Sequence, residues 1–75
     1  MLEKRSLSLS GHRTSVALEP EFWAALERLA MHRAQPLGAL IAAADAARAP
    51  ARPLASALRV LALEAAEMIT MARSS

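Results

Sequence analysis

The sequence predicts a mainly α-helical domain with one short N-terminal strand, paired between two chains in an intertwined dimer, and an additional C-terminal helix. The first observation is a switch of apolar spacing within Arg13 to Trp23. Thr14, Val16 and Leu18 recur with period two, whereas Phe22, Leu26 and Leu29 follow the three-and-four spacing of a helix. The second is that only helical spacing follows, so a lone strand must find its backbone hydrogen bonds elsewhere, most cheaply on a second copy. The third is size. A chain of 75 residues without cysteine has no disulfide or thiolate metal site to staple it, which leaves oligomerisation as its support.

Composition agrees with close-packed helices. The chain is 55% hydrophobic and rich in Ala and Leu, with one Trp and one Phe. Its formal charge is +2, and of nine cations only Lys4 is not an arginine, the residue whose planar fork suits phosphate and guanine edges. Lys4, Arg5, His12 and Arg13 precede the first helix, while Glu19, Glu21 and Glu27 mark that helix itself. The expected arm is basic and the body is not.

Residues 1–12 read as a partly flexible basic arm, on their terminal position and polarity. The alternation of Leu7 and Leu9 with Ser6, Ser8 and Ser10 leaves a second short strand as the other reading. The domain proper spans 13–72. Its first helix starts at Pro20, whose fixed φ suits a first helical position, and acidic Glu19 and Glu21 favour the positive end of the helix dipole. That helix ends at His32 or Arg33, before Pro36. A second helix spans Leu37 to Ala47 with Leu37, Leu40, Ile41 and Ala44 on one face. Arg48 to Pro53 reads as a linker, since two prolines bar a continuous helix. The third helix runs from Leu54 to about Met71, apolar on several sides, followed by a tail, 73–75. No secretory signal or continuous apolar span is legible, and a cytoplasmic location is expected.

This order of elements resembles the ribbon-helix-helix superfamily of DNA-binding proteins, the group of the Arc and MetJ repressors. It is also similar to a bacterial branch carrying a Gly-His-x-Thr-Ser-Val-x-Leu-Glu-x-x-Phe-Trp segment, here Gly11 to Trp23, and a Leu-x-Ser-Ala-Leu-Arg-Val segment, here Leu54 to Val60. The resemblance implies a homodimeric, sequence-specific transcription regulator whose ribbon enters the major groove of double-stranded DNA. Carried over by position, Arg13, Ser15 and Ala17 face outward to base edges, and Thr14, Val16, Leu18, Phe22, Leu26 and Ile41 form the dimer core. The superfamily's phosphate-binding turn at the start of the second helix is altered, since Ala34-Gln35-Pro36-Leu37-Gly38 lacks the usual hydroxyls. Lys4, Arg5, His12 and Arg33 are the expected phosphate contacts instead.

Catalysis has no support in the sequence. Ser15 and His12 lack an orienting acid, and no phosphate-loop or nucleophile motif occurs. His12 and His32 lack a third ligand, so no metal or other cofactor is expected. The rival reading is a protein-interaction module, an accessory subunit or antitoxin-like partner, docking through Leu54 to Met71.

Overall fold

The computed structural model describes residues 1–74, except for the side chains of residues 69 and 72–74. Two strands, β1 (Glu3–Leu9) and β2 (His12–Leu18), are followed by helices α1 (Pro20–His32), α2 (Leu37–Ala47) and α3 (Leu54–Ser74). The strand expected to stand alone is therefore half of an antiparallel hairpin within one chain, and the expected arm supplies the other half. The serine and leucine alternation of 6–10 was the strand pattern, and it outweighs terminal position and polarity because β1 answers the backbone requirement of β2 directly.

Ser10 and Gly11 close the hairpin in two residues, both in the left-handed region, with φ of 51° and 80°. That is the geometry of a type I′ turn, whose twist matches that of the strands it joins. It sets the register: Arg5 faces Val16, Ser6 faces Ser15, and Leu9 faces His12. Alternation then sorts the side chains. Val16, Leu18 and Leu9 are buried against the helices, with Arg5, Leu7 and Thr14 half-buried on the same side. Val16 and Leu18 thus reach burial inside one chain, whereas Thr14 is only half-buried.

All three helices are anchored by the residues that precede them. Pro20 opens α1, and the Glu19 carbonyl accepts from the backbone N–H of Phe22 and Trp23. Pro36 and Pro53 lie just ahead of α2 and α3, and their carbonyls receive the N–H groups of Leu40 and Ala57. At the end of α1 the N–H of Gln35 reaches the Ala30 carbonyl and that of Ala34 reaches Met31, the paired bonds of a Schellman turn. The left-handed position belongs to Ala34 (φ 54°), where glycine is usual. The linker is folded: the Arg48 guanidinium donates to Asp45 at 2.7 Å and to the Arg52 carbonyl at 2.8 Å. Helix α3 extends to Ser74, beyond the expected end near Met71 and through part of the expected tail, whose last residue, Ser75, lies outside the described residues.

The core lies between the ribbon and the helices and centres on Leu18, Trp23, Leu26, Leu40, Ile41 and Leu58, all essentially inaccessible. Helix α3 packs mainly on α1, presenting Leu58, Ala62 and Ala65 at helical spacing. Trp23, one step off the Phe22 stripe, is fully buried, whereas Phe22 is half-buried. The Trp23 indole Nε1–H donates to the Glu3 carbonyl at 2.7 Å, tying β1 to α1. Above the same ring, at 4.6 Å from its centroid, lies the Arg5 guanidinium.

Two substitutions test these local arguments. Trp23→Phe keeps the aromatic packing but removes the bond to Glu3, and should cost about 1–3 kcal/mol. Urea unfolding measures that loss, and amide exchange should accelerate first along β1. Ala34→Gly relieves a left-handed alanine and should raise stability by about 1 kcal/mol in the same assay.

Candidate nucleic-acid interface

The outer face of the ribbon holds the candidate site. Register places Lys4 beside Ala17, Ser6 beside Ser15 and Ser8 beside Arg13, with the side chains directed away from the helices. All are exposed except Ala17, which is half-buried. The face therefore offers two cations and four hydroxyl-bearing or small neighbours within one flat, two-stranded patch, and no carboxylate among the residues of its six positions. Such a surface supplies hydrogen-bond donors and acceptors without repelling a polyanion.

Of the residues expected to meet bases, Arg13, Ser15 and Ala17 share this face. Ser6 and Ser8 were missed by the sequence reading, although the period-two serines that mark them were in view. Among the expected phosphate contacts, Lys4 lies on the face. Arg5 does not: it is on the helix side, hydrogen-bonded to Glu3, 3.5 Å from Glu27 and stacked over Trp23. The Glu3 hydrogen bond raises its already high pKa further, and burial opposes this only in part. Arg5 is thus a structural cation, and the residue type alone could not reveal it. His12 opens β2 on the helix-facing side, near Thr14, Asp45 and Arg48. Arg33 is exposed at the end of α1 and lines a groove between α2 and α3 together with Arg48 and Arg52. The structure does not gather these two with Lys4 and Arg13.

Other cations are also committed. Arg59 of α3 reaches the Glu19 carboxylate at 3.1 Å, lies 5.9 Å from the Phe22 ring centroid, and so fixes α3 to the junction of β2 and α1. Ahead of α2 the hydroxyl-poor turn is as the sequence indicated, with neither Pro36 nor any neighbouring side chain capping the helix. Among the described residues no group of three or more His, Asp or Glu side chains is arranged to hold a metal ion. No helix among them is long and apolar enough to cross a membrane.

Residues 2–66 match a family model, the ribbon-helix-helix domain. The chain belongs to the ribbon-helix-helix domain family. Members of this family generally bind DNA as dimers, and they are typically non-enzymatic DNA-binding or regulatory modules. The match includes β1, β2, α1, α2 and over half of α3. No curated protein and no solved structure matches the chain.

The Glu19 carboxyl sits below the usual carboxylate range, chiefly through a hydrogen bond from its own backbone N–H and further through Arg59. A carboxylate depressed in the folded state stabilises the fold above its unfolded pKa, and that contribution is lost as pH falls through the folded value. Arg59→Met should shift the Glu19 titration upward, as followed by NMR. The variant should also lose less stability than the parent between neutral and acidic pH.

Proposed function

We propose that this protein is a sequence-specific DNA-binding regulator that acts as a homodimer, each copy presenting the outer face of its ribbon to the major groove. The observation that carries this reading is the segregation of Lys4, Arg13 and the serines on one carboxylate-free ribbon face. The major groove admits a two-stranded ribbon, and its base edges offer acceptors that match these donors. In this reading the Arg13 fork meets guanine O6 and N7, and the hydroxyl of Ser15 bonds either purine. Ala17 contacts a thymine methyl. Ser6 and Ser8 extend the polar contact along the groove, and Lys4 holds a phosphate. His12, at the end of the ribbon, and Arg33 remain candidates for backbone contacts farther from the axis of the site. Arg5 leaves the phosphate set because Glu3, Glu27 and Trp23 occupy it.

The exposed side chains Leu63 and Met68 on α3 favour a second reading, a protein-interaction module that keeps the fold without the DNA. Selection from random duplex DNA at two salt concentrations separates the two. An enriched, roughly palindromic motif whose retention falls with salt supports the regulator, whereas no enrichment at low salt leaves the docking module. Arg13→Ala should relax selection at one base position, at about 1–3 kcal/mol of discrimination, without altering the fold. Lys4→Ala should weaken all sequences alike and reduce the salt dependence by about one phosphate contact.

A further inference from the structure

The largest concavity of the molecule, about 540 Å³, is the groove between α2 and α3. It stays open because small residues stand where larger ones would close it: Ala44 and Ala47 of α2 face Ala57 of α3, over a floor of Leu40 and Leu61. Among the described residues no aromatic ring and no hydroxyl lines it, so along most of its length it offers aliphatic contact alone.

The charged groups are confined to the two ends, and the ends differ. Where the α2–α3 linker closes the groove stand Arg48 and Arg52; Asp45 neutralises Arg48 and leaves one positive charge in excess. At the other end Arg33 and Glu64 balance. None of Arg33, Arg52 and Glu64 forms an ion pair among the described residues. The cationic end is also firmly built. The Arg48 guanidinium donates to Asp45 at 2.7 Å and to the Arg52 carbonyl at 2.8 Å, and the Arg52 backbone N–H donates to the Ala49 carbonyl at 2.9 Å. The backbone that carries Arg52 is thus held on both sides, while the residue itself is exposed. Helix α3 starts here with no acidic residue in its first turn, so the positive end of its dipole adds to the same field.

We propose that the α2–α3 groove binds a linear aliphatic carboxylate, with its head between Arg48 and Arg52 and its chain along the alanines. The volume falls within the roughly 300–1,000 Å³ of small-molecule sites. From Ala57 to Glu64 the α3 wall rises about 10 Å, which suits an acyl chain of medium length. The planar fork of arginine matches a carboxylate, and a single excess charge calls for a single head. The absence of rings and hydroxyls from the lining disfavours an aromatic or sugar-like body. No ribbon residue lines the groove, so the inference is independent of the reading of the ribbon face.

Isothermal titration calorimetry of the full chain with sodium decanoate, without DNA and below the onset of micelles, tests it. One decanoate per chain should bind, and decanol, with the same chain and no charge, should bind at least tenfold more weakly. Arg52→Gln should weaken decanoate at least tenfold and leave decanol unchanged. Ala43→Phe, at an exposed position of α2 on the rim of the groove, should exclude both. Circular dichroism should show that both variants fold. Absence of saturable uptake by the parent chain overturns the proposal, as does uptake that neither variant weakens or that fails to distinguish decanoate from decanol. Should sedimentation show that A43F separates copies of the chain that decanoate does not enter, a second copy fills the groove and the proposal fails. Failure on any of these grounds leaves the selection of DNA by the parent chain unaffected, so the two readings fall separately.

Discussion

Satisfaction of the backbone along β2 is the constraint on which the rest of the structure depends. Seven consecutive residues in extended conformation expose N–H and C=O groups that must be paired. The chain meets that need along one edge with its own N-terminal residues, through a two-residue turn that Ser10 and Gly11 make possible. Once β1 is in place its inward side chains become part of the core, and a hairpin that would be marginal by itself is held down by the helices beneath it. The Trp23 indole matters for the same reason. It is a donor inside an apolar core, and the carbonyl it finds belongs to β1, so the deepest aromatic residue also locks the outermost strand.

Electrostatics then divides the cations into two populations. Arg5, Arg48 and Arg59 are drawn into the architecture: Arg5 across the ribbon to α1, Arg48 across the α2–α3 linker, and Arg59 from α3 back to the start of α1. These pairs are partly exposed, so each holds orientation more than it adds stability. Lys4, Arg13, Arg28, Arg33 and Arg52 form no ion pair among the described residues. The mild net charge of the chain therefore understates the basicity of the outer ribbon face.

Much of this was legible in the sequence. Helix starts were marked by Pro20 and by the prolines ahead of α2 and α3, and period two placed Thr14, Val16 and Leu18 on one side of the strand, which the family resemblance assigned to the inside. The N-terminal strand was hidden because serine at every second position also suits a flexible segment, and only the partner strand decides between the two. Arg5 was misplaced for a related reason: alternation assigns it to the inner face once β1 is known to be a strand, but as part of an arm it had no face at all. The role of Trp23 depends on a carbonyl 20 residues away, a contact that local spacing does not encode.

The hairpin also bears on how recognition in such a protein can change over generations. Seven residues of β2 carry two interleaved patterns, one for the core at even positions and, in the proposed reading, one for DNA at odd positions. Substitution at Arg13, Ser15 or Ala17 rewrites the second without touching the first. Insertion or deletion of a single residue in the strand exchanges the two, burying arginine and exposing valine. New specificities are thus reachable one side chain at a time, while the length of the ribbon is locked by the core it covers.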